Sequence, residues 1–348
     1  MRTVGFLRFL ERQPRIDVCV ILVGPSTGSV LGRWRTLSTA GKPFPINALF
    51  GHLRFVRRLL SSDVVMIGSP LFVLAAAFAK LGGAAVLWDA KSCEWEFFYR
   101  SWSQSRSISS LLRMPVWAAL EYSIGRLADV AICTSEEDRE TFGLFSRVKP
   151  KLQTLPLTTL DLPRGSLASD FLEVKYVFFL GTVRGANNRA SVEHLIRNRL
   201  FLDGLFSRGI RLVLAGSSTE EYAGVHPSVV ALGQIENPRP LIENSLACLA
   251  PLDNNYGVSA KVIDYLKYGR RIIATRPALT GLLFETENCV WITPYRDFAR
   301  CVLAVIQEPI HDAEAAAMND NARRLYGEEA LSRNFAVLLQ RAFPAHFH

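Results

Sequence analysis

The stretch NNYGVSAKVIDYLKYGRRIIAT, residues 254–275, contains a helix followed by a strand, and this pair decides the fold class. Val262 and Leu266 recur at helical spacing, and Gly269 stands where a helix C-cap is expected. The run 272–275 is rich in β-branched residues and has the composition of a buried strand. A helix that leads into a strand through one glycine is half of a parallel α/β unit.

Lys261 is an unusual residue for the first turn of this helix, because the helix dipole places partial positive charge there and normally favours acids. Ser259 is the predicted N-cap. Free backbone amides therefore point out of the 257–259 end, and Lys261 adds a full positive charge beside them, which indicates an anion site. The alternative is a solvated lysine that extends past the helix end.

Strand-like runs alternate with helix-length periodic segments along most of the chain, which predicts an α/β protein with two tandem, doubly wound Rossmann-like domains. The segment 156–170 carries prolines and few large apolar side chains and is predicted to link them. We expect an N-terminal domain over 1–157, a linker over 158–173 and a C-terminal domain with terminal helices over 174–348. Two such domains place a ligand cleft between the carboxyl ends of their strands.

Further elements are predicted by the same patterns. The expected strands are 16–24, 63–68, 84–88, 128–135, 174–181, 210–216, 228–235 and 245–252. The expected helices are 47–60, the segment before residue 128, one that begins at the acids after Ser135, 189–208 and about 312–343. The opening MRTVGFLRFLERQ reads as a helix with no strand before it. We therefore expect that the first domain lacks its first strand, or that the natural protein starts upstream of Met1.

The composition is typical of a soluble α/β enzyme and not of a disordered chain, with 348 residues, 49% hydrophobic and 21% charged. The most apolar segment, 71–88, contains Lys80 and a Gly-Gly break, so a helix and a strand are expected there and not a membrane span. The six cysteines are scattered without a CxxC pair, as in a protein of the reducing cytoplasm.

Positive charge is concentrated at the start of the chain. Residues 1–60 hold ten Lys/Arg and two acids, a balance of +8 that equals the net charge of the whole sequence. This asymmetry predicts an anionic partner, either a membrane surface or a lipid-phosphate acceptor. Nucleic acid is disfavoured because no stacking-aromatic or helix-turn-helix pattern accompanies the charge. Solvated surface arginines are the alternative.

Several segments resemble family 4 glycosyltransferases, which have the GT-B fold. GVSAKVIDYLKYGRRIIAT resembles that family's G…KVLEALA.GKPVVAT, and YVFFLGTVRGANNRASVEHLI is similar to the start of its second domain. LACLAPLDNNYG is similar to a strand and loop of the same domain, and ADVAICTSEEDRE resembles an element of the first. The similarity covers most of the chain in order.

The resemblance implies that the anion at Lys261 is the diphosphate of a nucleotide sugar. Asp264 matches the acid that accepts hydrogen bonds from the donor ribose, with an exposed helix acid as the alternative. Many members carry Glu-x7-Glu, but Tyr256 stands at the position of the first acid, so neighbouring polar side chains are expected to reach the sugar instead. The remaining positions that the resemblance assigns to donor binding are Gly181, Thr182, Arg184, Glu236, Asn255, Gly257 and Ser259.

The loop WDAKSCEWE, residues 88–96, stands where relatives often carry a His or Asp near the reaction centre. Its acids Asp89 and Glu94 are the predicted catalytic residues; Lys91 and Glu96 are alternatives. Asp89 is favoured because it ends a strand that faces the cleft. The chain has no Asp-x-Asp metal motif, so we expect neither a metal nor a cofactor beyond the nucleotide-sugar substrate.

The sequence therefore predicts a retaining, metal-independent glycosyltransferase of the hexosyltransferase type. It would move a sugar from a nucleotide-diphosphate donor to a glycan or lipid-linked acceptor, as in polysaccharide biosynthesis. The expected location is the cytoplasm, with peripheral attachment to an anionic membrane face through residues 1–60. Two alternatives are open: a nucleotide-sugar epimerase of the same fold, and a catalytically degenerate nucleotide-sugar-binding protein, which Tyr256 and the altered 88–96 loop favour.

Overall fold

The computed structural model describes Phe6 and residues 19–23, 35–39, 53–90, 93–145, 151–166, 173–254, 257–283 and 289–344. The chain divides into two compact units. The first comprises Met1–Pro156 with Leu331–His348, and the second comprises Leu157–Ala330.

The regular elements are numbered in chain order. The strands are β1 Cys19–Val23, β2 Arg35–Thr39, β3 Val64–Ile67, β4 Ala85–Ala90, β5 Val130–Cys133, β6 Lys151–Thr154, β7 Lys175–Leu180, β8 Ile210–Ala215, β9 Val229–Ala231, β10 Ala247–Ala250, β11 Ile272–Ala274 and β12 Val290–Ile292. The helices are α1 Leu53–Leu60, α2 Val73–Leu81, α3 Glu94–Ser105, α4 Ile108–Leu127, α5 Glu136–Phe145, α6 Ala186–Arg197, α7 Arg199–Phe206, α8 Arg239–Asn244, α9 Ala260–Tyr268, α10 Phe298–Val305, α11 Asp312–Tyr326 and α12 Glu328–Ala342.

In the described part of the first unit, the strands form two parallel sheets. Strands β1 and β2 pair with each other, and a four-stranded sheet has the order β3-β4-β5-β6. Leu87 of β4 and Ile132 of β5 share a buried cluster with Leu331, Phe335 and Leu339 of α12. This apolar packing explains why Leu331 and the residues after it belong to the first unit, whereas the sequence-based division assigned all of 174–348 to the second domain.

The second unit contains one parallel sheet with the strand order β12-β11-β10-β7-β8-β9. Counted from β7 as the first strand, this is the 3-2-1-4-5-6 arrangement of dinucleotide-binding domains. The chain winds from β7 toward β9 on one side and from β10 toward β12 on the other. The order reverses between β7 and β10, and such a reversal point is where open α/β sheets bind ligands. The prediction of doubly wound α/β architecture is confirmed.

The predicted strands are confirmed, since β1, β3, β5, β7, β8, β9, β10 and β11 all lie inside their predicted ranges and β4 overlaps its range and extends to Ala90. The segment 71–88 forms α2 and β4, as expected. The predicted helix 189–208 is two helices, because Asn198 caps α7 by accepting the amide of Phe201 at 3.1 Å. The 88–96 segment is not wholly a loop, because Glu94 begins α3. The predicted opening helix and absent first strand lie outside the described residues.

The linker segment packs against α9 over its described part. The Lys267 ammonium is fully buried and donates hydrogen bonds to the carbonyls of Thr159 at 3.0 Å and Leu160 at 3.3 Å. The same group forms an ion pair with Asp161 at 2.7 Å, and the Tyr268 hydroxyl accepts the amide of Leu162 at 2.8 Å. Residues 157–166 are thereby fixed on the second unit beside the last turn of α9.

Candidate functional site

Two helices start at the reversal point of the second unit's sheet, α6 after β7 and α9 after β10. A side chain from the first two turns of each helix meets the other there, since the Lys261 Nζ of α9 donates to the Asn188 Oδ1 of α6 at 2.5 Å. The Asn188 amide in turn donates to the carbonyl of Thr182 at 2.9 Å. The hydrogen bonds therefore join the loops that follow β7 and β10 at the place where this fold binds ligands.

The amino end of α9 is open to an anion. Ser259 occupies the N-cap position as predicted, but its hydroxyl makes no capping hydrogen bond. The amides of Val262 and Ile263 donate to the Ser259 carbonyl at 3.1 and 3.3 Å. The α9 amides before them have no partner within the helix and are therefore available to a ligand or water. Gly257, two residues before the cap, has a φ of 73°, a conformation that a glycine adopts without strain.

Lys261 is half-buried, and its described contacts are neutral. Besides Asn188, its ammonium lies 4.3 Å from the centre of the Phe179 ring. Burial without an opposing charge disfavours the ammonium form and lowers the pKa of Lys261 to about 7. The position of this lysine beside free helix amides favours an anion site over the solvated alternative.

The loops after β7 and β8 approach each other too closely for ordinary side chains. A Cβ on Gly216 would lie 2.3 Å from the carbonyl oxygen of Gly181, and the φ of Gly216 is 127°. A Cβ on Gly181 would lie 3.0 Å from the Asn188 side chain. Small residues are therefore required here for steric reasons, and they leave the backbone of these loops accessible at the carboxyl end of the sheet.

The same two loops are joined by further hydrogen bonds. Thr182 is exposed and its hydroxyl donates to the carbonyl of Ser217 at 3.3 Å, which also accepts the amide of Val183 at 3.1 Å. The Arg184 Nε donates to the Ser218 hydroxyl at 3.1 Å, and Arg184 as a whole is exposed. Arg184 thus lies at this end of the sheet with donors still available for a second phosphate contact.

Asp264 lies one turn after Lys261 on α9 and is only 5% exposed, which removes the alternative of an exposed helix acid. Burial is the main cause that raises the pKa of Asp264 to about 6, and a hydrogen bond from the Thr159 side chain and the charge of Lys267 oppose it. Its Oδ1 is buried without a hydrogen-bond partner among the described residues. Such an oxygen is rare in folded proteins and is suited to a ligand hydroxyl.

Glu236 is exposed in the loop between β9 and α8, at the same end of the sheet, next to Ile235, which packs on the core. Asn255 lies outside the described residues. The structure thus brings Gly181, Thr182, Arg184, Glu236, Gly257, Ser259, Lys261 and Asp264 to one end of the second unit's sheet or to the start of α9. Sequence reasoning missed Asn188 and Thr159; the only signal for Asn188 was a pair of asparagines, poor helix formers, in the first turn of α6.

The predicted catalytic acids belong to the first unit. Asp89 lies in β4 and is 1% exposed, and Glu94 is the first residue of α3. The amide of Glu94 donates at 2.7 Å to the carboxylate of Glu121 on α4, which also contacts the Cys93 thiol at 3.7 Å. Burial raises the pKa of Glu121 to about 7. Sequence reasoning missed this acid, although a lone glutamate in an apolar helix was a usable signal.

Among the described helices, none combines the length and the hydropathy that a membrane crossing requires. Most of residues 1–60, the predicted lipid-binding region, lie outside the described residues. Lipid binding by residues 1–60 therefore stays a prediction.

No known protein-family description and no curated protein matches the sequence. Solved structures do match. Anabaena HepE, in complex with UDP and glucose, aligns over 97% of this chain and 96% of its own, with a TM-score of 0.68 and 12% identity. Sucrose-phosphate synthase from Thermosynechococcus elongatus aligns over 96% and 87%, with a TM-score of 0.66 and 14% identity. A UDP-forming trehalose-phosphate synthase from Burkholderia xenovorans aligns over 83% and 78%, with a TM-score of 0.57 and 11% identity.

At these identities the likeness establishes the fold, which is that of GT-B proteins with two Rossmann-like domains. Among these neighbours, HepE has been solved with UDP and with UDP-glucose, and the trehalose-phosphate synthase is UDP-forming. Membership of family 4 stays a prediction.

Proposed function

We propose that the protein is a glycosyltransferase whose second unit binds a nucleotide-diphosphate sugar at the amino end of α9. The observation that carries this proposal is the pairing of Lys261 with Asn188 at the reversal point of the sheet. The described partners of this lysine are neutral, and it lies beside free helix amides. Its positive charge is therefore available to bind an anionic ligand.

In this proposal, Lys261 and the α9 amides stabilise the leaving group. The diphosphate gains negative charge as the bond to the sugar breaks, so fixed positive charge at that position lowers the barrier. The arriving diphosphate also raises the pKa of Lys261, because an opposite charge nearby favours the ammonium. This arrangement provides the positive charge from the chain itself, which is the basis for proposing metal-independent transfer.

Asp264 is the proposed ribose ligand. Its unpartnered Oδ1 accepts a hydrogen bond from a ribose hydroxyl, while Thr159 holds the carboxylate from the linker side. The exposed Glu236 loop and Ile235 offer a surface for the base, and Arg184 reaches the second phosphate. Asp89 and Glu94 are the proposed acids on the acceptor side. The proposed acceptor is a glycan or a lipid-linked molecule, and the proposed transfer retains the anomeric configuration.

The choice of the first ligands to test comes from the neighbours. HepE has been solved with UDP-glucose, and the Burkholderia xenovorans enzyme is UDP-forming. UDP and UDP-glucose are therefore tested first by titration calorimetry, followed by the guanosine and adenosine equivalents.

Lys261→Ala tests the assignment of the phosphate site. We expect the affinity of the best nucleoside diphosphate to fall about 10- to 100-fold, since a charged hydrogen bond contributes roughly 1.5–3 kcal/mol. Lys175→Ala is the matched control, because Lys175 is exposed at the opposite end of β7. Equal affinity for Lys261→Ala and wild type would reject the site.

Turnover with the bound nucleotide sugar tests the reaction class. Release of the nucleoside diphosphate, with sugar transferred to an acceptor or to water, is the expected result. Interconversion of the sugar without release would instead mark an epimerase, and tight binding without either product would mark a binding protein.

A further inference from the structure

Helix α4 of the first unit has an apolar outer face. Ile108 is 73% exposed, Leu112 67% and Val116 57%, and Leu111 and Tyr122 are also exposed. At about 100° per residue, these five positions fall within roughly 140° of the helix circumference. The opposite side carries the buried residues Ser110, Glu121, Ile124 and Gly125. The helix therefore presents one face to the core and a second apolar face outward, which a soluble surface rarely does without a binding role.

The turn that joins α3 to α4 adds aromatic and basic groups to this face. The Arg106 guanidinium lies 5.2 Å from the centre of the Trp102 ring, and Tyr99 lies against the same ring at 6.2 Å. Arg106 adopts a left-handed conformation with a φ of 53°, two residues before the exposed Ile108. Tryptophan, tyrosine and arginine beside an apolar surface are the residue types enriched where proteins meet the headgroup region of a bilayer.

Charge decides between the occupants of this face. From Phe97 to Leu120 the sequence contains Arg100, Arg106 and Arg113 and no acid. Glu96, just before this range, forms an ion pair with Arg100, so the positive charge available to a partner comes from Arg106 and Arg113. All three arginines are exposed. A second copy of the protein would bring arginine against arginine, whereas an anionic lipid surface complements them.

We propose that the α3–α4 outer face, formed by Ile108, Leu111, Leu112, Val116 and Tyr122 with Tyr99, Trp102 and Arg106, binds the surface of an anionic lipid bilayer. The apolar side chains enter the region between headgroups and acyl chains, and the arginines contact lipid phosphates. This surface is distinct from residues 1–60. It is independent of the nucleotide-sugar site, so either assignment can fail without the other.

Vesicle flotation of the full chain tests the surface, with equal parts phosphatidylcholine and phosphatidylglycerol compared with pure phosphatidylcholine. We expect wild type to float with the mixed vesicles at low salt and to release at high salt, because salt screens the charged contacts. The double variant Ile108→Ser/Leu112→Ser should lower the partition coefficient at least tenfold, given the transfer free energy of two such side chains. Arg106→Gln should lower it about fivefold.

Leu200→Ser is the matched control, because Leu200 is 84% exposed but lies on the second unit. This substitution is expected to leave flotation unchanged. Thermal unfolding of each variant verifies that the fold is intact, and UDP affinity verifies that the second unit is unaffected. The proposal is overturned if the double variant floats as well as wild type, if wild type fails to float, or if light scattering shows that the double variant converts a dimer to a monomer.

Discussion

At the scale of single residues, the site depends on a lysine that has no carboxylate partner among the residues that the structure describes. A buried ammonium normally pairs with an acid, and without one its charged form is destabilised. Asn188 offers Lys261 only a neutral oxygen, and Phe179 only a ring face. The charged form of Lys261 is therefore destabilised in the free protein and stabilised in a complex with an anion. Anion binding should change the protonation of Lys261, and this change can be measured.

Binding of UDP should therefore take up a proton above pH 7. The pKa of Lys261 is about 7 in the free protein, so the amine is largely neutral at pH 8, and the diphosphate must restore its charge. Calorimetric titration at pH 8 in two buffers of different ionisation enthalpy measures the uptake. In Lys261→Arg, which is charged throughout this range, the uptake should vanish. Identical proton uptake in wild type and Lys261→Arg would contradict the role of this amine.

Substitutions at Asp264 and Thr159 should weaken the binding of the ribose without weakening the binding of the phosphates. Asp264→Asn removes the carboxylate and Thr159→Val removes the hydroxyl that holds it, so both should weaken UDP about tenfold. Neither should change the affinity for inorganic pyrophosphate, which lacks a ribose, whereas Lys261→Ala should weaken both ligands. The test is a competition titration with the two ligands on each variant. Equal losses for UDP and pyrophosphate in Asp264→Asn would remove the ribose assignment.

At the scale of secondary-structure elements, the site exists because two parallel strands end close together and the helices that follow them start side by side. The close approach of the β7 and β8 loops requires a glycine at 216. Gly216→Ala should cost at least about 2 kcal/mol of stability, since the φ is unfavourable for alanine and the new Cβ overlaps the Gly181 carbonyl. Gly185→Ala, whose Cβ would meet only the Thr182 carbonyl at 3.8 Å, should cost less than about 1 kcal/mol.

Denaturation curves of these two variants measure the difference. A Gly216→Ala variant as stable as Gly185→Ala would show that the loop relaxes without cost, and that the glycine is not required by the close approach.

Elements with strong periodicity were predictable, and weakly patterned ones were not. The buried strand β10 and the amphipathic α9 carry their signal locally, whereas the polar strand β6, with the sequence KLQT, is a strand only because β5 pairs with it. The split between α6 and α7 depends on one capping asparagine inside an otherwise continuous helical pattern. The place of α12 in the first unit depends on packing between segments distant in sequence.

The site was predictable to a similar degree. Lys261, Ser259 and Asp264 are within one helix, so their spacing indicated a common function. Asn188 and Thr159 are 73 and 105 positions before the α9 residues they contact, and only the tertiary fold brings them there. Glu121 likewise meets Glu94 across the α3–α4 pair. A single sequence gives no measure of such distant contacts.

At the scale of the whole molecule, two buried groups and one half-buried group give the stability a defined pH dependence. In the first unit Glu121 has its pKa raised from 4.5 to about 7, and in the second unit Asp264 has its pKa raised from 3.8 to about 6. For each acid, between its unfolded and its folded pKa, the folded protein binds more protons than the unfolded chain. The contribution of each acid to the unfolding free energy therefore falls as the pH rises through that range. Lys261 acts in the opposite direction between pH 7 and 10.5, where the folded protein binds fewer protons.

The combined contribution of the three groups should therefore be least favourable near pH 7. The melting temperature of wild type minus that of Glu121→Gln should fall as the pH rises from 4.5 to 7. The melting temperature of wild type minus that of Lys261→Met should rise as the pH increases from 7 to 10. Each group contributes on the order of a few kcal/mol, or several degrees of melting temperature. A flat difference for Lys261→Met would mean that its ammonium is already compensated in the free protein, and the proposed diphosphate site would lose its physical basis.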